Sequence, residues 1–153
     1  MNIRPASTDD VVAISALLYS LTEKFVAAEF PARAAKALLV SMLPVGIHKL
    51  MQSGCRYHVA ESDGRIIGVI CMKDNKHLYH LFVAADQQRK GVARNLLQTA
   101  MAACREAGYA GEFSVNSAVS TQKVYEKLGF VAQPVKRTRE GMITIPMVLA
   151  AKR

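Results

Sequence analysis

Asp86-Gln87-Gln88-Arg89-Lys90-Gly91-Val92-Ala93-Arg94-Asn95-Leu96-Leu97 joins an apolar run to a helical pattern through a basic turn that contains one glycine. Upstream, Leu78-Tyr79-His80-Leu81-Phe82-Val83 reads as a buried strand. Downstream, Val92, Leu96, Leu97, Ala100, Met101 and Cys104 recur at helical spacing. Gly91 therefore falls at the first helical turn, where unpaired N–H groups and the positive end of the helix dipole favour an anion. Without a Cβ it lets the backbone approach phosphate oxygens, while Arg89, Lys90 and Arg94 add positive charge around the turn. The layout suits a polyanion held mainly by main chain, although these residues alone also suit an ordinary solvated turn. The pattern is neither G-x-x-x-x-G-K-S/T nor G-x-G-x-x-G.

Working outward, Met1 to Ala6 reads as an opening strand, and Ser7 or Thr8 with Asp9 and Asp10 as a helix start. Val11, Ile14, Leu17, Leu18, Leu21 and Phe25 form a helical stripe. The pattern breaks at Phe30-Pro31, and Ala32 to Gln52 supplies one helix or two, interrupted near Pro44-Val45-Gly46. Strands at Tyr57 to Glu61 and Arg65 to Lys73 flank a Ser62-Asp63-Gly64 hairpin turn, and Asp74-Asn75-Lys76 turns the chain into the strand 77–84. A helix 91–107 ending at Gly108, a strand 111–116, a helix 118–128 and strands 129–137 and 142–149 complete the chain. The order is β-α-α-β-β-β-α-β-α-β-β, an α/β pattern. Ser117 or Ser120 can cap the helix 118–128, Val124 and Leu128 make its apolar stripe, and Gly129 suits a left-handed C-cap.

A chain of 153 residues should form one domain with a real core. It shows no linker, repeat or low-complexity tract, and its 51% hydrophobic content excludes disorder. Apolar runs near Ala34 to Val45 are too interrupted to span a membrane, and the amino terminus has no signal-peptide core, so a cytoplasmic location is expected. Cys55, Cys71 and Cys104 have neither zinc-ligand nor disulfide spacing; buried reduced thiols and no metal are expected. The net charge of +8 comes from 20 basic against 12 acidic residues. The basic residues are dispersed, with loose clusters at Arg89-Lys90-Arg94 and Lys136-Arg137-Arg139 and no nucleic-acid motif beside them. Neither a nucleic-acid nor a membrane partner is expected.

Gln88-Arg89-Lys90-Gly91-Val92-Ala93 resembles the Q/R-x-x-G-x-G/A signature of the GNAT superfamily of N-acetyltransferases, whose loop cradles the pyrophosphate of acetyl-CoA. A second segment, Phe113 to Phe130, resembles the other hallmark of that family: a short strand, then a helix ending in Tyr125-Glu126-Lys127-Leu128-Gly129-Phe130. Gly141 to Met147 is similar to the last strand of a subgroup that also has V-N-S followed by a tyrosine, as Val115 to Tyr125 does here. Residues 20–55 carry almost none of the likeness.

The resemblance implies a mixed, mainly antiparallel central sheet flanked by helices and splayed between strands 77–84 and 111–116. The pantetheine arm of acetyl-CoA would enter that gap and pair with backbone around Leu81, Phe82 and Val83, with amides near Val83 as oxyanion donors. Gln88, Arg89, Lys90, Gly91, Val92, Ala93 and Arg94 would hold the pyrophosphate, and Asn116 the pantetheine or an ordered water. Tyr125 would be the general acid, since a phenol can donate a proton to a thiolate of comparable basicity.

Many family members carry a glutamate base eleven residues before the loop motif, where this chain has His77. An imidazole with an ordinary pKa of about 6.5 can take that role. His80, three residues on, would face the other side of the strand unless a bulge re-aims it. A water chain without a single base is the alternative. The implied activity is direct acetyl transfer in a ternary complex to an amine-bearing acceptor, shaped by Thr22 to Ser53 and the last hairpin; a non-catalytic acyl-CoA-binding regulator is the competing reading. Homodimerisation through the final strands would fit the fold.

Overall fold

The computed structural model describes residues 1–134, the backbone of 137–139, and residues 141–150. Strand β1 (Asn2–Pro5) leads through a short 3-10 turn into α1 (Val11–Phe25). Of the two caps open at this start, Ser7 is the one used: it forms a reciprocal capping box with Asp10, and the Arg4 guanidinium reaches Asp10 at 2.8 Å. The region 32–52 is two helices, α2 (Ala32–Ser41) and α3 (Pro44–Gln52), which meet at 66° with Pro44 opening the second. The order therefore holds one helix more than the string read from the pattern. No single described helix is long and apolar enough to cross a membrane.

Strands β2 (Cys55–Ser62), β3 (Arg65–Lys73) and β4 (His77–Val83) form an antiparallel meander. Its turns place Asp63 with Gly64, and Asp74 with Asn75, at positive φ. Helix α4 (Val92–Glu106) follows, then β5 (Phe113–Ala118), α5 (Gln122–Lys127), β6 (Val131–Ala132), β7 (Arg137–Arg139) and β8 (Met142–Leu149). The sheet order is β1-β2-β3-β4-β5-β8-β6, with β7 also beside β8. Each pair is antiparallel except β4 with β5. That parallel pair is joined only at His77 with Ser114 and at Leu78 with Val115, although the strands are seven and six residues long. Beyond Leu78 and Val115 the strands part, and the sheet is splayed where the family resemblance placed the splay.

Two cores lie on opposite faces. On one, Val92, Leu96, Leu97, Ala100 and Cys104 of α4 pack with Ile70, Met72, Leu78, Phe113, Val115 and Met147. On the other, Val11, Ile14 and Leu18 of α1 and Ile47 of α3 pack with Tyr57, Val59, Val69 and Cys71. The stripe anticipated for α4 is the buried one, whereas Phe25 at the end of α1 is 51% exposed.

Several expectations are corrected. The helix 118–128 is a 3-10 turn followed by α5, and neither Ser117 nor Ser120 caps it: the Ser117 hydroxyl donates to Ala118 O, and Ser120 is bound to Glu29. Val124 is 48% exposed; Tyr125 and Leu128 make the packed stripe instead. The strand 129–137 is split into β6 and β7, because Pro134 has no N–H to continue a ladder. Between Val131 opposite Val148 and Arg137 opposite Thr144, the β6 and β7 side uses more residues than β8 does. The basic side chains of Lys136, Arg137 and Arg139 lie outside the described residues.

Candidate active site

The turn before α4 has the conformation an anion cradle needs. Arg89 has φ +64° and Gly91 φ +81°, both left-handed, and no side chain caps the first turn of the helix. A Cβ on Gly91 would meet nothing within 4 Å, so the space above the backbone is open. Among the described residues the amides of Lys90 to Arg94 have no protein acceptor. Arg89 and Lys90 are exposed beside them.

Two side chains of the turn are spent on holding it. Gln88 Nε2 donates to Val83 O at 3.0 Å, tying the turn to the end of β4. Arg94 Nη2 donates to Lys127 O at 2.8 Å, tying α4 to the last turn of α5. Helix α4 can lie this close because Gly68 of β3 faces it; a Cβ there would sit 2.9 Å from Leu96 Cδ1 and 3.1 Å from Val92 Cγ1. The turn, the strand end and α5 are thus one connected structure, whose packed side chains include Leu81, Val83, Val92, Ala93 and Tyr125.

Tyr125 is half-buried on that α4 face, its ring tilted edge-on to Phe130 at 5.8 Å. Burial alone pushes its phenol up to about 12, and among the described residues its hydroxyl has no hydrogen-bond partner.

The remaining candidates sit on the opposite face. Ladder register shifts between Cys71 and Met72, so that Tyr79 is an extra residue in β4. Leu78, Leu81 and Val83 point to the α4 core, while Phe82 points to the α1 and α3 core. The bulge therefore re-aims His80 and puts it on the same face as His77. His77 stands at the closed end of the splay, with its Nδ1 2.7 Å from Ser114 Oγ.

Asn116 is exposed on β5 one residue beyond the last β4–β5 pair; Val115 and Ser117 alternate to the α4 side, so Asn116 shares the face of His77. His80 is buried, its Nδ1 3.0 Å from the Tyr57 hydroxyl, and desolvation lowers its pKa to about 4. Ser114 and Tyr57, the partners of the two histidines, carry no signal of their own in the sequence and become visible only through strand register.

The structure therefore brings Leu81, Phe82, Val83, Gln88 and the turn to Arg94 together with the helix of Tyr125. His77 it keeps six residues back along β4 from Val83, about 20 Å of extended chain. The region expected to shape the acceptor site has contacts that the sequence does not reveal: Glu29 accepts from Ser120 N at 3.1 Å and from the Ser120 hydroxyl, and Gly141 lies against Pro31. No cluster of three or more His, Cys, Asp or Glu side chains among the described residues could hold a metal ion. All three cysteines are buried and unbridged.

Residues 26–151 match the family model described as the acetyltransferase (GNAT) domain. Human N-acetyltransferase 8 is 26% identical over 92 residues, covering 53% of this chain and 40% of the human protein, so the chain spans less than half of that relative's length. Among solved structures, a GCN5-related N-acetyltransferase from Rhodopseudomonas palustris superposes with a TM-score of 0.81 at 18% identity, covering 97% of this chain and 94% of that one. The PaiA N-acetyltransferase of Thermoplasma acidophilum, solved with coenzyme A, gives 0.79 at 17% identity over 97% and 98% of the two chains. The yncA product of Salmonella typhimurium, solved with acetyl-CoA, gives 0.72 at 18% identity over 100% and 95%. With its family model covering most of the chain and its splayed sheet opening onto the turn at Gly91, this protein belongs to the GNAT acetyltransferase family.

Proposed function

We propose that the protein is an acetyl-CoA-dependent N-acetyltransferase that transfers the acetyl group directly to an amine in a ternary complex. The observation that carries this reading is the parting of β4 from β5 beyond Leu78 and Val115, next to an uncapped helix start at Gly91. Unpaired strand edge and unpaired amides are what a long, partly peptide-like polyanion can satisfy. Amides of Lys90 to Arg94 with the charges of Arg89 and Lys90 would hold the pyrophosphate, Arg94 would add its charge while tied to Lys127 O, and Gln88 holds the turn itself. Backbone at Leu81, Phe82 and Val83 would pair with the pantetheine arm, and the Asn116 amide would bind it or an ordered water. Acetyl-CoA supplies the acetyl thioester.

The chain's own residues supply the proton transfers. Tyr125, kept protonated by burial, donates its hydroxyl proton to the departing sulfur. His77 accepts the proton of the amine, directly or through water. If its Nδ1–H donates to Ser114 Oγ, the other ring nitrogen is the basic one. His80 is less suited, because burial makes it a weak base and Tyr57 already occupies its Nδ1. Amides near Val83 stabilise negative charge on the acyl oxygen.

The amine would approach from the α1 and α3 face, where His77 and Asn116 lie, and Tyr125 works from the α4 face. An acceptor screen following thiol release tests the reading: polyamines, aminoglycosides, amino acids and protein amines are supplied with acetyl-CoA. Amine-dependent release with acetylated product supports it. Thermal stabilisation by acetyl-CoA with no release for any amine would instead identify a coenzyme-binding regulator.

A further inference from the structure

We infer that the protein carries a second ligand site, beside the C-terminal half of α4, that takes a small zwitterion of the α-amino acid type. A cleft of about 500 Å³ opens between that half of the helix and the β1–β2 edge of the sheet. It is lined on the helix side by Thr99, Ala102, Ala103 and Glu106, and the small residues Ala102 and Ala103 leave room between helix and edge strand. The volume lies within the range of small-molecule sites.

Its floor is His58, which is 4% exposed and whose Nδ1 has no hydrogen-bond partner. A buried imidazole nitrogen left unpaired is unfavourable, and because its ring lines the cleft a small shift of that ring would let the nitrogen meet a ligand there. Burial first, and then the nearby Arg56, lower the pKa of this ring, so it is neutral at pH 7 and can accept a hydrogen bond through Nδ1.

The charges on the rim decide the ligand class. Arg56 and Glu106 both line the cleft, yet no salt bridge joins them, and Glu106 has no ion pair among the described residues. Arg56 uses only its Nε, donating to Asn75 Oδ1 at 3.3 Å, which leaves the outer guanidinium nitrogens available. Two opposite charges held apart over a neutral acceptor match a molecule with a carboxylate for Arg56 and an ammonium for Glu106 and His58. A simple anion would meet Glu106, and a simple cation would meet Arg56. Ala102 is ten residues along α4 from Val92, about 15 Å of helix, so this ligand does not compete for the phosphate turn.

Imidazole NMR of the full chain tests the inference, with glycine, alanine, serine and glutamine as probes and acetate and ethylammonium as singly charged controls. At least one amino acid should move the His58 ring signals saturably, with acetyl-CoA present or absent, while neither control does. Ala102→Phe, at an exposed position, should abolish the response at unchanged thermal stability, and Arg56→Gln and Glu106→Gln should each weaken it roughly tenfold. The inference is overturned if no amino acid shifts His58 into tens of millimolar, leaving the nitrogen to water. Equal shifts with acetate or ethylammonium would also overturn it, as would a response that survives Ala102→Phe or disappears when acetyl-CoA binds.

Discussion

At the scale of single residues, the proposed chemistry would rest on side chains whose surroundings fix their protonation. Tyr125 gains no hydrogen bond from the described residues, and burial holds its phenol at about 12, so it is a donor through the whole neutral range. Tyr125→Phe keeps the ring that packs on Phe130 and removes only the hydroxyl with its proton. It should lower kcat on the order of 10²-fold while leaving the affinity for acetyl-CoA nearly unchanged. Steady-state kinetics with coenzyme titration check this, and an unchanged kcat would reduce Tyr125 to a packing residue.

His80 has a different consequence. Its folded pKa of about 4 lies below the ordinary imidazole value of about 6.5, so between those values the unfolded chain binds a proton that the folded chain does not. Stability should therefore fall as pH drops from about 6.5 through about 4, by roughly 3 kcal/mol from this group, and His58 shifts in the same direction. Asp10 is held below its usual range by the Arg4 guanidinium, so its contribution is lost at still lower pH. In His80→Asn, which keeps an acceptor for Tyr57, the decline in melting temperature from pH 7 to pH 5 should be visibly shallower.

At the scale of elements, Gly91 and Gly68 do different work. Ala at Gly91 meets no neighbour but must hold φ near +81°, a conformation costing about 1 kcal/mol for an L-residue. Gly91→Ala should therefore leave the fold intact and weaken acetyl-CoA binding about tenfold, as calorimetry would show. Gly68→Val pushes into Leu96 and Val92 and should destabilise by about 1–3 kcal/mol in denaturant unfolding.

Elements with strong local signals are legible in the sequence: α4 from its apolar spacing, the β2–β3 hairpin from Asp63-Gly64, and the turn into α4 from Gly91. The end of the chain is not. The segment 129–137 reads from sequence as one strand, and only pairing with β8 shows β6 ending before Pro134 and β7 beginning after it. The bulge at Tyr79 is likewise a property of two strands in register, which is why the facing of His80 could be stated from sequence only as an alternative.

At the scale of the whole molecule, the sheet separates two compartments. Helices α4 and α5 with the turn at Gly91 occupy one face; α1, α3, His77 and Asn116 occupy the other, and the split between β4 and β5 connects them. Donor and acceptor would then reach the reacting atoms from opposite sides, a geometry suited to direct transfer. The segment before α2 is braced through Glu29 on Ser120 and Pro31 on Gly141, on the side proposed for the acceptor. Glu29→Ala should raise the acceptor KM several-fold and leave coenzyme affinity unchanged; equal loss of both would mean that it supports the fold in general.

The central claim is that the split sheet and the turn at Gly91 form one acetyl-donor site. Backbone amide NMR during acetyl-CoA titration tests it most directly. The largest saturable shifts should fall on Leu81, Phe82, Val83, Lys90 to Arg94 and Asn116. Saturable binding whose shifts leave both Leu81 to Val83 and Lys90 to Arg94 unmoved would contradict it, as would no binding at all.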